Sequence, residues 1–272
     1  MTGLLRSTMV FMCTVALAEA QGDLSELFSI IRTEGTALSE SSRKRTFEIL
    51  TPYSTGGKSF AGEWPAINDA LGDPRPFVRD QACAVLSTLM LLNAAKPIEL
   101  PDGTRQLVLQ RFSEESPNLR ENAVRIITLM AGGVPPALEP RLLQLARVDS
   151  APSVRRMAIE ALASMRIPTP EITDFWVQSL GRQQDRELRG AVLSAFRFHA
   201  QTDPQIIKLV IGALSDSDRF VRQEAIAAVT QIGKSAVAAL PLLHEIREDP
   251  ATDEAMRLSA EAAIRAVTAD KL

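Results

Sequence analysis

The fold this 272-residue chain predicts is all-α: a right-handed α-solenoid of about seven helix pairs. Three regularities predict it. An apolar residue followed by arginine recurs as Val78-Arg79, Leu119-Arg120, Val154-Arg155, Leu188-Arg189, Val221-Arg222 and Met256-Arg257, with intervals of 41, 35, 34, 33 and 35 residues between the arginines. A fixed period of that size marks a repeat array, in which each unit buries its apolar face against its neighbours. Three residues beyond each arginine stands a small or aliphatic residue: Ala82, Ala123, Ala158, Val192, Ala225 and Ala260. With apolar residues six and seven places on, as in Val85-Leu86 and Ala228-Val229, this spacing lines one face of an α-helix. Ahead of each helix lies a turn rich in Asp, Ser and Pro, such as Asp73-Pro74, Ser116-Pro117 and Asp216 to Asp218. These residues cap helix starts, and Pro fits a first turn where its missing N–H is not needed.

A second helical pattern precedes most turns, as in Ile206, Ile207, Val210, Ile211 and Leu214, or Val237, Leu240, Leu242, Leu243 and Ile246. The unit is therefore helix, short turn, helix. In chain order, residues 1–20 read as a secretory signal peptide. Arg6 gives a positive start, Met9 to Leu17 an apolar run, and Ala18-Glu19-Ala20 a small-x-small site for cleavage before Gln21. That run is shorter than the ~20 apolar residues a spanning helix needs. Residues 21–63 are expected to hold a diverged N-terminal capping repeat and a connector. Its first helix is Leu24 to Ile31; Ser42-Arg43, followed by Phe47, Ile49 and Leu50, opens its second; Pro52 to Gly62 is the connector. Residues 64–272 form the regular solenoid. Its 41-residue interval is assigned to an extra loop, Asn93 to Gly103, of the kind that can carry binding.

The stretch Leu214-Ser215-Asp216-Ser217-Asp218-Arg219-Phe220-Val221-Arg222-Gln223-Glu224-Ala225 resembles the turn and second-helix start of a HEAT repeat. Ile232-Gly233 followed by Ala238-Ala239-Leu240-Pro241-Leu242-Leu243 is similar to that family's passage into the next unit. The resemblance is particularly to the bacterial kind also found in phycobilisome-lyase-like proteins, and it runs from about Trp64 to Leu272. It implies second helices on a concave face and repeat arginines paired with turn carboxylates of their own or a neighbouring unit. On function the resemblance is nearly silent, and the reading adopted is a protein-binding scaffold without cofactor. The lyase-like members imply an alternative, an enzyme or a metal- or chromophore-handling protein, and a purely structural spacer is a third reading. Fold likeness alone does not decide among these.

Composition narrows the classes. Net charge is −3, with 23% charged residues, so neither a polyanion nor a membrane surface is indicated. On the implied concave face, positions one, five and eight beyond each arginine include Asp80, Glu121, Arg125, Arg156, Glu160, Gly190, Arg197, Gln223 and Leu258. This mixed surface lacks the basic stripe of a nucleic-acid binder. The candidate partner-binding residues are Arg125, Arg156, Glu160 and Arg197. Trp176 and Phe198 join them as anchors if exposed, with packing of the Phe175, Trp176, Phe196 and Phe198 group in the core as the favoured reading. Tyr53, Phe60 and Trp64 are expected to seal the solenoid end.

Chemistry finds little support in the residues. Once a leader is cut, Cys83 is the one cysteine, so no structural disulfide is possible within the chain, and a buried inert thiol is expected. A helical-repeat hydroxylase family binds two irons through several His-Glu dyads, but here His244-Glu245 is the one dyad and His199 is followed by Ala200. Thr55-Gly56-Gly57-Lys58-Ser59 superficially matches a phosphate loop, yet Pro52 stands where the pattern needs Gly and no strand precedes it. No Gly-x-Ser-x-Gly elbow occurs. The sequence therefore predicts no catalytic, cofactor or metal residues. It predicts an exported, bacterial periplasmic or extracellular scaffold that binds a protein partner.

Overall fold

The computed structural model describes residues 23–55, 62–165, 169–181, 186–196 and 203–269. The expected signal peptide, residues 56–59 of the phosphate-loop-like stretch, Phe60, Arg197, Phe198 and His199 lie outside the described residues.

Seven helix pairs follow one another: α1 (Leu24–Glu34) and α2 (Glu40–Ser54), α3 (Trp64–Leu71) and α4 (Pro76–Leu92), α5 (Asp102–Gln110) and α6 (Pro117–Leu129), α7 (Glu139–Val148) and α8 (Pro152–Ala163), α9 (Pro170–Gly181) and α10 (Arg186–Ala195), α11 (Pro204–Gly212) and α12 (Arg219–Ile232), α13 (Leu240–Glu248) and α14 (Glu254–Thr268). No strand occurs among the described residues. The expected cap chemistry is in place. The Ser116 hydroxyl accepts from the Leu119 N–H, the Asp218 carboxylate from Phe220 and Val221, and the Asp253 carboxylate from Met256. Gly35 and Gly233 end α1 and α12 at φ of 69° and 64°, left-handed positions that glycine takes without strain.

The second helices α4, α6, α8, α10, α12 and α14 pack in unbroken succession, whereas the first helices meet their neighbours more sparsely. In a curved stack the more closely packed layer is the inner one. The residue before each repeat arginine is buried in all six regular units, as is the small residue three places beyond. Four places beyond, Cys83, Val124, Ile159, Leu193 and Ile226 are buried too, but α14 presents the exposed Glu261 there. That flank faces the following unit, so each aliphatic side chain on it removes about 1.5–3 kcal/mol of apolar surface from water. Glu261 turns the last unit's outer face polar, as an array end requires.

Two sequence expectations need correction. Helix α4 runs for 17 residues against 13 in α6 and 12 in α8, so the long interval is shared between a longer helix and a loop. That loop is anchored rather than freely projecting: the Ala131 N–H donates to Ile98 O at 2.9 Å, Leu100 is buried, and Gly103 already belongs to α5. Likewise the connector does not begin at Pro52, because Pro52 and Tyr53 lie inside α2. Burial of Tyr53 explains the extension, since its ring completes the core beside α1. Arg219–Glu248 is long and apolar enough to cross a membrane by composition. A 3-10 stretch, Gly233–Ala239, with non-helical Ala236 divides it into α12 and α13 of successive pairs.

Candidate functional site

The repeat arginines form a ladder along the turns. The Arg79 guanidinium donates to Asp73 O and Pro74 O of its own turn at 2.9 and 3.0 Å, and to the Glu114 carboxylate of the next at 3.1 and 3.0 Å. Arg120 repeats this with Glu114 O and Glu115 O, then with both Asp149 oxygens at 2.7 Å. Arg189 reaches Asp216 at 2.9 and 3.0 Å. Arg155, Arg222 and Arg257 each close their own turn in the same way. The carboxylates also serve their turns: Asp149, Asp216 and Asp249 accept the N–H two residues on. Burial alone would raise the Asp149 pKa. The Arg120 hydrogen bonds, the Ala151 N–H and the charges of Arg120 and Arg155 outweigh it and hold the carboxyl below its usual range. These arginines are thus structural, as the resemblance implied.

One helix turn away, on the inner face, the candidate residues gather. Arg125 pairs with Glu121 one turn earlier on α6 and donates to Asn122 Oδ1 at 2.9 Å. Across on α8, Arg156 is exposed and Glu160 half-buried. Burial pushes the Glu160 carboxyl up; the charges of Arg156 and Arg125 pull it partly back, and that of Glu121 adds to the rise. The structure therefore brings Arg125, Arg156 and Glu160 into one network with Glu121. Toward the first units, Asp80 Oδ1 is buried without a hydrogen-bond partner, and burial raises that carboxyl as well.

One place beyond the repeat arginines, the rear of the same face carries Gly190, Gln223 and Leu258 in place of charged residues. Gly190 is buried, and a Cβ there would stand 2.2 Å from the Phe220 ring. The ring lies across the α10 backbone and stays 50% exposed. Next to it Gln223 Nε2 donates to Ser259 Oγ at 3.1 Å, and Leu258 is exposed. Phe220 was not among the sequence candidates. Its signal is a glycine one place beyond a repeat arginine, followed one unit later by an aromatic residue two places before the next.

Trp176 is the candidate the structure removes. It is 1% exposed and meets the Phe196 ring edge-on at 5.2 Å. Both Phe175 and Trp176 turn inward because α9 is covered on two sides, and the Arg147 guanidinium lies 5.5 Å from the Phe175 ring. Tyr53 is buried and Trp64 packs against the core, in keeping with the expected seal. Cys83 is buried, and burial pushes its thiol up to about 12, which leaves it protonated and unreactive. His244 is half-exposed and 4.0 Å from Glu248. Among the described residues no group of three His, Cys, Asp or Glu is disposed to hold a metal ion.

The family model for HEAT repeats matches residues 105–197 and 173–265. The chain belongs to the HEAT-repeat family. No curated protein matches it. Among solved structures it is similar to a designed armadillo repeat protein in complex with the peptide (KR)4, at 19% identity and a TM-score of 0.52, covering 76% of this chain and 100% of that one. A second designed armadillo repeat protein aligns at 20% identity and a TM-score of 0.47, over 75% and 99% of the two chains. At these identities the likeness is one of fold: an all-α repeat solenoid.

Proposed function

We propose that this HEAT-repeat chain is an exported, non-enzymatic scaffold that holds a protein partner on the inner face of its second helices. The observation that carries the reading is the run of partly exposed side chains on that face, outside both the core and the arginine ladder. Arg125, Arg156 and Phe220 in that run support the reading, because interface energy concentrates on Arg and aromatic residues. The Arg156–Glu160 and Glu121–Arg125 charges give register and specificity more than raw affinity. The peptide complex of the designed armadillo neighbour supports a protein or peptide as the class of partner. Arg197 belongs to this proposal by its position eight places beyond Arg189, and Phe198 belongs to it as an aromatic anchor.

The test is crosslinking pull-down of residues 21–272 from the exported fraction, read by mass spectrometry. The expected result is a reproducible partner that is lost when Arg156→Glu and Glu160→Lys are combined, a change that leaves net charge untouched. A partner retained in full by that variant removes the inner face from the proposal. Export is tested separately by sequencing the N-terminus of the protein from its native fraction. A start at Gln21 supports it, and an uncleaved leader in the cytoplasm ends it.

A further inference from the structure

The first unit departs from the others on its second helix alone. Where the regular units place an apolar residue, an arginine, a small residue and an aliphatic one, α2 has Ser42, Arg43, Thr46 and Phe47. Phe47 is 46% exposed, although every residue at the same place in α4, α6, α8, α10 and α12 is buried. The facing helix shows the same gap from its own side. Val85, six places beyond Arg79, is only partly buried, while Ile126, Ala161, Ala195, Ala228 and Ala263 at that place are all buried. On α2 itself the Thr46 hydroxyl is buried without a hydrogen-bond partner, which costs its desolvation.

On the ladder, α2 keeps only the tie within its own turn, as Arg222 and Arg257 do. Arg43 reaches Leu38 O of its own turn at 2.9 Å. The Asp73 carboxylate of the next turn is taken by Arg32 of α1 at 2.9 Å and by Arg75, and Arg75 also donates to Arg32 O. Helix α1 is thus tied to the array and buries Leu24, Leu27, Phe28 and Ile31. Helix α2 buries Ile49 and Tyr53, packs the partly buried Leu50 against the core, and is otherwise held by polar contacts. Arg45 pairs with Glu26 at 2.7 Å, Ser42 donates to Glu34, and the Tyr53 hydroxyl donates to Glu63, whose other oxygen accepts the Leu24 N–H.

We infer that α2 is a hinged flap that opens as a local unit while α1 and the remaining helices stay folded. Local opening follows where buried apolar contact is least. The Tyr53–Glu63 hydrogen bond is its latch, and opening bares the flank of α4 that carries Val85. The inner face then gains one further helix surface at its N-terminal end.

Amide hydrogen exchange of the full chain, read by mass spectrometry under native conditions, tests this. Peptides from 40–54 are expected to exchange at least ~10-fold faster than those from 24–34 and 76–92, the signature of sub-global opening. Tyr53→Phe should speed exchange in 40–54 several-fold and leave 76–92 unchanged. Thr46→Ala, which restores the small residue of the other units, should slow it. Equal protection of 40–54 and 24–34 in the unsubstituted chain overturns the inference. So does acceleration of all three segments together by Tyr53→Phe, because α2 then opens only with the whole.

Discussion

The units built from α3 to α8 and those built from α9 to α14 share one core and one arginine ladder, but they start their second helices differently. In the front units Pro76, Pro117 and Pro152 stand in the first turn, and of the residues before them only Ser116 caps with its side chain. Proline sets the helix start locally, with no reference to a neighbour. In the rear units Arg219 stands at the corresponding place, and Asp218 and Asp253 cap α12 and α14. Each of these aspartates also receives the preceding unit's arginine: Arg186 to Asp218 at 3.2 Å and Arg219 to Asp253 at 2.8 Å. The rear half therefore has a second, outer row of ties in which the helix start itself is the link. The inner face divides in the same region. At the place one beyond each arginine, Asp80, Glu121 and Arg156 charge its front, whereas Gly190, Gln223 and Leu258 stand in its rear beside the Phe220 ring.

The sharpest way to break this comparison is to remove a rung from each row. The side chains of Arg120 and Asp149 are 10% and 5% exposed, so Arg120→Ala leaves a buried carboxylate and two turn carbonyls without their donor. The expected loss is about 3 kcal/mol of unfolding free energy, measured by urea titration. Arg219→Ala in the exposed row should cost much less, because solvent screens that pair. Equal losses would mean that the two rows do not differ as their burial says.

A second test concerns the glycine under Phe220. Gly190→Ala should destabilise by about 1 kcal/mol, since the new methyl displaces the ring. In a Phe220→Ala background the same substitution should stabilise by up to ~1 kcal/mol, because alanine is the better helix former once the space is free. A cycle of the four proteins in urea reads the change of sign. The same sign in both backgrounds would show that the ring does not require the glycine.

Much of this was legible before the fold was seen. The period of Arg79 through Arg257 shows six regular pairs, with Ser42-Arg43 marking a diverged seventh, because helical repeats must stack to bury anything, and the turn carboxylates announce the ladder. What stayed hidden is instructive. Periodicity puts Trp176 on a helix but does not say that α9 is covered on two sides, so its exposure could not be read. Phe220 looks like any residue at a helix start until Gly190 is seen to lie beneath it in the preceding unit. The change to Glu261 where the other units carry an apolar residue, and to Ser42 and Thr46 at the opposite end, is plain in the sequence. Each becomes meaningful only when the buried places, one before and three and four beyond each arginine, are known.

The carboxylates make a third, smaller contrast through their pH dependence. Asp149 is held below its usual range, so its contribution is complete above the ordinary carboxylate pKa and is lost as pH falls through and below it. Asp80 has the opposite sign. Burial raises its pKa, the folded state binds the proton more readily, and the charged form weighs against folding at neutral pH. Asp80→Ala should therefore raise the melting temperature at pH 7, with the gain fading as the pH drops through the raised pKa. A gain that persists unchanged in acid would trace to something other than the buried charge.

The smallest effect expected is that of salt on the outer row. The side chains of Arg219 and Asp253 are 63% and 43% exposed, and in about 1 M NaCl the Debye length shrinks to ~3 Å. Asp253→Asn isolates the tie, because asparagine caps a helix as well as aspartate does, so the Met256 N–H keeps its acceptor and only the charge is lost. The substitution should lower the melting temperature slightly in dilute buffer and hardly at all in high salt. Arg120→Ala should cost the same in both, since its partner is shielded from the ions. If salt erased the Arg120 effect as well, the inner ladder would be as open to solvent as the outer row, and the difference between the two halves would reduce to helix-start chemistry alone.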